Sequence, residues 1–397
     1  MTDRPIRVLM AIDTLAVGGA ERVAVDLSNS LDRATHEVFV CSTRHDGPLR
    51  HELASDITVE VLERRARWDP DGLARFVRFA RHHEIDLIHT HGRGTMQFVS
   101  LARRVGLASM PQVFHDHYGA LHVDRSVPPS LRLALHAGVD HYLGVDRRLC
   151  RWAVEQAGLP ADRVSLAVNG VDVRRFTDVA PVDLRSTFDL PDREVVFVML
   201  AHFRHQKDQP TLYRALAALD PAVRDRLGVV IVGRTPSDTD YADRCAALAT
   251  SLGVGDQVRV AGARADVPAL LAGADAGLLA TKNETGPVAV LEYLAAGLPF
   301  VASDTGEITR SLRFDDVGFI PEPSDPRALA AALEALVTLG RDGRAAMGAR
   351  GREVAERRFD QTRLTQSVDA TYRGVLGRPP RSLTPRLMRH TAPRPSS

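Results

Sequence analysis

Residues 281–304 read TKNETGPVAVLEYLAAGLPFVASD and hold two glutamates, Glu284 and Glu292, with seven residues between them. The run DAGLLAT, which ends at Thr281, predicts a buried strand, and KNETG predicts a loop at its carboxyl end. Pro287 suits the first position of the following helix, because the N–H that it lacks would be left unpaired there. A Gly-x-Pro sequence then ends the helix. The stretch therefore predicts one strand–loop–helix unit of an α/β fold.

The same order of strand and helix recurs along the 397-residue chain. Apolar runs such as IRVLMAI (6–12), EVFVCST, ITVEVL, DLIHTH and PQVFH alternate with helical segments, and a second series begins with EVVFVMLA (194–201). This alternation predicts parallel strands with crossover helices, and the length predicts two domains. We therefore expect an α/β fold of two facing, Rossmann-like doubly wound domains, with the ligand site in a deep cleft between them.

Changes in composition predict the boundaries of these parts. Residues 1–178 are expected to form the N-terminal domain, 179–193 a polar linker, and 194–355 the C-terminal domain. Residues 356–376 are expected to form a helix that packs back on the N-terminal domain, and the basic residues 377–397 a disordered tail. The arginines of the tail predict either attraction to the anionic inner face of a membrane or a solvated tail with no role.

Composition restricts the class of protein. The net charge is +1 and charged residues make up 25%, which gives no reason to expect nucleic acid as a partner. Three distant cysteines, Cys41, Cys150 and Cys245, are typical of buried thiols in a reducing compartment. The N-terminal apolar run is too short for a signal peptide, and no run reaches the roughly 18 residues that span a bilayer. We expect a cytoplasmic protein.

The helix that follows Glu284 suggests a role for the two glutamates, because the group that binds at its N-terminus would lie beside them. The first N–H groups of a helix favour an anion, typically a phosphate. Carboxylates accept hydrogen bonds from vicinal hydroxyls, so Glu284 can hold one sugar and Glu292 another. A nucleoside diphosphate sugar has this layout, with hexose, diphosphate and ribose in order. The alternative is that both glutamates are solvated surface residues.

A second motif, AHFRHQKDQPTLYRAL (201–216), follows another predicted strand. Arg204 and Lys207 lie in its loop and should project into the same cleft. A diphosphate leaving group needs such cations if no metal supplies the charge. Of the 51 basic residues only Lys207 and Lys282 are lysines, and both lie in these two motifs. The alternative is a solvated basic loop.

Taken together, these motifs resemble those of the family 4, or group 1, glycosyltransferases of the GT-B fold. The resemblance spans roughly residues 6–376 and rests on E-x7-E, FRHQKDQPTL, VNGVDVRRF (168–176), VRVAGARADVPALLAGADAGLLA (258–280), VGGAERVAVDLSNSL, DLIHTHG and QVFHDH. Two positions depart from the pattern: Tyr293 replaces the usual alanine, and Thr285 stands where glycine is common. These departures bear on the identity of the sugar more than on the reaction.

The resemblance implies retaining transfer of a hexose-type sugar from a UDP- or GDP-sugar to an acceptor hydroxyl, without a cofactor or a required metal. It implies catalytic roles for His115 and Glu284, which would orient the sugar. The donor-binding residues that it implies are Gly19, Arg204, Lys207, Gly262, Arg264, Pro287, Val288 and Glu292. The acceptor side, in the N-terminal domain, would include Gly18, His91 and Asn169. The acceptor itself can be a glycan, a lipid-linked sugar or a small molecule.

Other interpretations remain open. An epimerase or phosphorylase can share this fold, and so can a protein that binds a nucleotide sugar without turning it over. The N-terminal half is rich in histidine (His89, His91, His115, His117 and His122), but no ligand spacing with carboxylates predicts a metal site. The sequence Asp238-Thr239-Asp240 is better explained as a helix cap than as a metal motif. No G-x-G-x-x-G follows the first strand, which argues against a nicotinamide cofactor.

Overall fold

The computed structural model describes residues 4–107, 109–121, 123–191, 193–235 and 240–378. Among these residues the strands form two sheets. The first sheet contains β1 (Ile6–Thr14), β2 (His36–His45), β3 (Thr58–Val61), β4 (Leu87–His91), β5 (Gln112–Asp116), β6 (His141–Gly144) and β7 (Val164–Leu166). The second contains β8 (Val195–Leu200), β9 (Leu227–Val232), β10 (Val258–Gly262), β11 (Ala276–Leu279), β12 (Phe300–Ala302) and β13 (Gly318–Phe319).

The order of strands is β3-β2-β1-β4-β5-β6-β7 in the first sheet and β10-β9-β8-β11-β12-β13 in the second. In each sheet the first strand of the chain therefore lies near the middle. The next two strands extend the sheet to one edge, and the remaining strands extend it to the other edge. The strand pairs described are parallel. The order reverses between β1 and β4 and between β8 and β11, and loops at such points form ligand sites. The predicted fold, two doubly wound α/β units, is confirmed.

Helices connect the strands and cover both faces of the sheets. In the N-terminal half they are α1 (Gly19–Ser30), α2 (Pro70–His82), α3 (Arg93–Ala102), α4 (Pro129–Gly138) and α5 (Arg147–Glu155). The rest of the described chain adds α6 (Leu184–Thr187), α7 (Gln209–Ala218), α8 (Pro221–Arg224), α9 (Tyr241–Ser251), α10 (Val267–Ala272), α11 (Val288–Ala295), α12 (Gly306–Leu312), α13 (Pro326–Thr338), α14 (Gly340–Val354) and α15 (Gln361–Val375).

Strand β1 shows why the central strands are apolar along their whole length. Val8 and Met10 belong to the core on the face that α1 covers, while Leu9 packs on the opposite face with Phe76 and Phe98. A strand buried on both faces cannot alternate between apolar and polar residues. The same continuous pattern appears in β8, which is buried between two cores of the C-terminal half.

Two segments join the halves of the molecule. The segment predicted as a linker contains α6, and its Leu184 and Leu190 pack into the core of the second sheet beside Val196. Helix α15 returns to the N-terminal half, where Val368 and Tyr372 are buried in the core formed by β1 and α1. Helix α15 therefore shares one core with β1 and α1, while the domain boundaries themselves stay predictions.

Some predictions concern residues that the structure does not describe. The tail from residue 379 onwards, His122, and Asp238 and Thr239 of the D-x-D sequence lie outside the described residues. Within the described part of the chain, no helix is both long enough and apolar enough to cross a membrane.

Candidate active site

The loops that follow β8 and β11 are bound to each other in the cleft. The Gln206 carbonyl accepts hydrogen bonds from the Lys282 amide and the Thr281 hydroxyl, both at 2.9 Å. The Gln206 side chain in turn donates to the carbonyl of Asn283 at 2.9 Å. The two motifs that the sequence singled out therefore form one structural unit.

Lys207 and Glu284 meet across these loops. The lysine Nζ lies 2.5 Å from Glu284 Oε1, and the two side chains are 21% and 13% exposed. A carboxylate in the loop thus has a partner supplied by the neighbouring loop, and a ligand that enters here must compete for both groups. Arg204, three residues before the lysine, is exposed and caps the short 3₁₀ turn that carries Lys207.

The start of α1 faces this unit from the N-terminal half. Gly18 precedes the helix, and the Glu21 carboxylate folds back so closely that a Cβ at Gly18 would lie 2.3 Å from Glu21 Oε2. A Cβ at Gly19 would lie 3.8 Å from a methyl group of Val288, the first residue of α11. The N-termini of α1 and α11 therefore approach each other, and their N–H groups favour an anion between them.

Further polar groups, which sequence reasoning missed, surround the glycine pair. His202 Nε2 donates to the carbonyl of Val17 at 3.0 Å, because its Nδ1 already accepts from the Arg234 amide at 2.8 Å. Burial raises the pKa of the Glu21 carboxyl, and the positive charges of Arg204 and Arg234 oppose that rise. Arg234 follows β9, so the rule that ligands meet the carboxyl ends of parallel strands would have found it.

Helix α11 starts one residue later than predicted: Pro287 is its N-cap and Val288 its first residue. Proline has no N–H, so the free donors at this helix start begin with Val288. The tyrosine that departs from the family pattern faces the sheet. Tyr293 is fully buried, its hydroxyl donates to the Leu278 carbonyl at 2.7 Å, and its ring fills the space that a Cβ at Gly277 would need. We conclude that Tyr293 affects packing of the core and not the identity of the sugar.

Glu292, one turn into α11, lies opposite charged residues of the N-terminal half. Burial raises the pKa of Glu292 to about 7, while Arg175 and Arg22 oppose the rise and Asp26 adds to it. Arg22 also pairs with Glu52, and Arg175 lies 3.8 Å from Asp26. The carboxyl of Glu292 is thus poised between its two protonation states near neutral pH.

Several other predicted residues are held by neighbouring parts of the protein. The Asn169 side chain donates to the Gly286 carbonyl at 2.9 Å, so this residue of the predicted acceptor side contacts the loop of Glu284. Gly262 ends β10 with a φ of 70°, which favours glycine. The Arg264 guanidinium pairs with Asp266 at 2.6 Å, which leaves its backbone as the group that could meet a base.

The two histidines that were predicted as site residues are both buried. His115 is fully buried and His91 is 3% exposed. Burial holds the pKa of His115 well below its usual value, and His117 adds to the effect. The ring is therefore neutral at pH 7, and both of its nitrogens are shielded from the cleft in this structure, so its contact with a sugar stays a prediction.

Contacts between the halves hold these groups together. Arg148, on α5, donates to the Glu284 carbonyl at 2.8 Å. Arg310, on α12, lies 2.9 Å from the buried carboxylate of Asp146, and the neighbouring Arg147 pairs with Glu307. The loop of Glu284 is therefore fixed from both sides of the cleft.

Comparison with known proteins gives consistent matches along the chain. The family model for glycosyl transferases group 1 matches residues 183–354, and that for glycosyltransferase family 4 matches residues 17–175. A D-inositol 3-phosphate glycosyltransferase of Salinispora tropica is 33% identical over 222 residues, which are 53% of this chain and 46% of that protein. A GDP-mannose-dependent alpha-(1-6)-phosphatidylinositol monomannoside mannosyltransferase of Mycobacterium tuberculosis is 31% identical over 214 residues, 51% of this chain and 54% of that protein. The chain thus spans about half the length of these relatives.

The structural comparison covers a larger share of the chain than these two sequence matches do. Anabaena HepE in complex with UDP-glucose superposes with a TM-score of 0.80 at 23% identity, over 93% of this chain and 100% of that one. The two family models together cover the second sheet and, apart from β1, the first sheet, and this neighbour has the same fold. The chain therefore belongs to the family 4 (group 1) glycosyltransferases.

Proposed function

We propose that this glycosyltransferase moves a hexose-type sugar from a UDP- or GDP-sugar to an acceptor hydroxyl, with retention of the anomeric configuration and without a metal at the leaving group. The observation that carries the proposal is the Lys207–Glu284 ion pair, in the loop that leads into α11, together with the approach of the N-terminus of α11 to that of α1. One partner suits a phosphate and the other suits sugar hydroxyls, so a donor with both groups side by side can separate the pair and satisfy each member.

The leaving group is the diphosphate. As the bond from the anomeric carbon to the phosphate oxygen breaks, negative charge grows on that oxygen. Lys207, Arg204 and the N–H groups at the start of α11 stabilise this charge. Such groups are effective because they are already in place before the reaction begins.

The sugar is oriented by Glu284 and by the neutral ring of His115. Positive character develops on the anomeric carbon while the new bond to the acceptor oxygen forms. Retention requires that the acceptor approach from the side on which the diphosphate departs. The proton of the acceptor hydroxyl then goes to the diphosphate, the most basic group beside it. Holding both reactants in this geometry supplies much of the rate enhancement.

The ribose of the donor is assigned to Glu292. Glu292 lies one turn into α11, beyond the helix start that is assigned to the diphosphate. The names of relatives support either base, since one uses GDP-mannose and a structural neighbour is a complex with UDP-glucose. The acceptor is proposed to bind on the N-terminal side, near the start of α1.

A panel of UDP-, GDP- and dTDP-sugars, tested by thermal shift and then by product analysis, checks the proposal. We expect one donor to stabilise the protein, and the transferred sugar to keep its anomeric configuration. Release of free nucleotide and a 2-epimer without acceptor would instead identify an epimerase. Binding without any turnover would identify a nucleotide-sugar-binding protein.

A further inference from the structure

Four histidines gather on one face of the first sheet. His89 and His91 end β4, and His115 lies beside His91 in the register of β5. The ring centres of His89 and His91 are 4.5 Å apart, and those of His91 and His115 are 5.2 Å apart. His117 stacks on the outer side, with its ring 5.2 Å from that of His91. The first three rings are almost entirely shielded from solvent.

The nitrogens of this cluster do not all find partners. Nε2 of His89, Nε2 of His91 and both ring nitrogens of His115 are buried without a hydrogen-bond partner among the residues that the structure describes. The backbone of Ala167 lies close to His115 and opposes the effect of burial on its pKa, but the contact does not have the geometry of a hydrogen bond. Buried polar atoms are normally paired, so four such nitrogens in one place call for an explanation.

The remaining hydrogen bonds indicate where the ring protons lie. The Tyr372 hydroxyl lies 2.6 Å from His89 Nδ1. A metal on His89 Nε2 requires the ring proton on Nδ1, and in that tautomer Nδ1 donates to the Tyr372 oxygen while Nε2 keeps its lone pair. His91 Nδ1 lies 3.0 Å from His117 Nε2, and donation in that direction leaves a lone pair on His91 Nε2 as well.

We infer that His89, His91 and His115 form a binding site for a divalent transition metal ion of the Zn²⁺ type. Their ligand nitrogens lie within 4.8 Å of one another. Tetrahedral Zn²⁺, with Zn–N distances of about 2.0–2.1 Å, brings its ligand nitrogens to about 3.3 Å from each other. The rings therefore need to approach by up to about 1.5 Å, which rotation of the side chains can supply.

The surroundings fit this assignment. Ligand histidines usually donate their other N–H to an outer partner, and Tyr372 and His117 provide such partners for His89 and His91. All three rings are buried, an environment that disfavours a charged imidazolium, and the neutral ring is the form that binds metals. The nearby Asp116 carboxylate already accepts hydrogen bonds from the Arg93 guanidinium and the Tyr142 hydroxyl, so it is not counted among the ligands. A set of three neutral imidazoles favours Zn²⁺, Co²⁺, Ni²⁺ or Cu²⁺ over Mg²⁺ and Ca²⁺.

The ion would link two strands to the last helix. His89 and His91 belong to β4, His115 to β5, and Tyr372 to α15. Because His115 has two nitrogens without partners, an ion on one leaves the other as an N–H donor that faces away from the metal. The ion would thus fix the orientation of the buried His115 ring. It would not replace the cations at the leaving group, and no step of the transfer passes through it.

The test uses full-length protein purified without a histidine tag. Titration with Zn²⁺ alone in a calorimeter should show one equivalent bound per chain. Addition of Co²⁺ alone should give the intense visible absorption of four-coordinate cobalt. We expect His89→Gln and His115→Gln to weaken binding by about 100-fold, and Tyr372→Phe, which keeps the buried ring, by about tenfold.

The matched control is His82→Gln, on the exposed end of α2 beside His83. It should leave the affinity and the cobalt spectrum unchanged. If the binding is lost with His82 instead, or if the wild-type protein binds no stoichiometric Zn²⁺ and gives no four-coordinate Co²⁺ spectrum, the inference is wrong. The spectrum of the wild type decides the matter even if a histidine variant does not fold. Thermal shift with the nucleotide donor, run without metal, tests the proposed function separately.

Discussion

Lys207 and Glu284 hold each other in place across the two loops of the cleft. Their ion pair is only partly exposed, so each group keeps a defined position. In the proposed function a donor must break this contact, and its diphosphate and sugar hydroxyls then replace it. On that proposal, the lysine offsets the repulsion that the loop carboxylate would otherwise exert on a phosphate at the start of α11.

Removal of either cation should slow the enzyme at sub-saturating donor. We expect Lys207→Ala and Arg204→Ala each to lower kcat/KM by on the order of 100-fold or more, because each removes charge that stabilises the departing diphosphate. Steady-state kinetics at donor concentrations below KM measure this effect. Arg214→Ala, an exposed arginine on the neighbouring helix α7, is the control and should behave like the wild type. Turnover at the wild-type rate in the Lys207 or Arg204 variant would exclude the assignment.

The pKa of Glu292 predicts that donor binding depends on pH. A carboxylate accepts bonds from both ribose hydroxyls, and the pKa of about 7 means that half of this group is protonated at neutral pH. The dissociation constant of the donor should therefore rise about tenfold between about pH 8 and about pH 6. Isothermal titration at several pH values measures it. In Glu292→Gln the donor should bind more weakly throughout, with this dependence removed, and a dependence that survives the substitution would contradict the role.

The same group should affect the stability of the ligand-free protein in the opposite direction. Its pKa is raised in the folded state above the ordinary value of 4.5, so the folded protein holds a proton that the unfolded chain releases. The stability that this proton brings is present below about pH 4.5 and is lost as the pH rises through about 7. We expect Glu292→Gln to raise the melting temperature more at about pH 8 than at about pH 6, when compared with the wild type at each pH.

At the residue scale, the sequence predicted groups that lie in loops at strand ends. Lys207, Glu284 and Arg204 follow apolar strands directly, so their common location could be deduced. The location of Glu21 and His202 in the site could not be deduced from the sequence, because it depends on how the two halves approach each other. The richness in histidine was seen in the sequence, but the close approach of residues 89, 91 and 115 was not, since they come from two strands that only the register brings together.

Helix α15 shows an element whose stability depends on distant parts of the chain. Its sequence is polar enough to form a surface helix, yet Leu364, Val368 and Tyr372 are buried against β1 and α1. Amphipathic spacing predicts such a buried face, but not which surface it covers. The last helix therefore stabilises the first strand.

Truncation of a buried leucine on α15 should destabilise the N-terminal half. We expect Leu364→Ala to lower the free energy of unfolding by about 2–5 kcal/mol, through lost burial and the cavity that it leaves. Denaturant unfolding followed by fluorescence measures the change. Gln366→Ala, an exposed position on the same helix, should change stability little, and equal effects of the two substitutions would contradict the packing described.

Two strands were missed by the sequence prediction. β6 has four residues and β13 has two, which is too short for a periodic pattern. Both lie away from the first strand of their sheet, and their positions are set by pairing with neighbouring strands. Long central strands and their helices were predicted, because their burial on two faces leaves an unbroken apolar run.

At the scale of the whole molecule, the site exists because two similar halves face each other. Arg148 reaches the Glu284 carbonyl, and Asn169 reaches that of Gly286, so the N-terminal half fixes the loop that is proposed to contact the sugar. The start of α1 meets the start of α11 across the cleft. Donor and acceptor can therefore be bound by different halves and brought together at their junction.

Two carboxylates of one cleft are proposed to bind different parts of the donor, with Glu284 at the sugar and Glu292 at the ribose. Single-turnover kinetics combined with donor titration, on Glu284→Gln and Glu292→Gln, distinguish the two roles. We predict that Glu292→Gln raises the dissociation constant of the donor and leaves the rate of the bound complex nearly unchanged, because ribose contacts are equally good before and during the reaction. Glu284→Gln should keep the donor bound while slowing the bound-state rate by on the order of 100-fold. The reverse pattern, with slow chemistry in the Glu292 variant and weak binding in the Glu284 variant, would contradict the account.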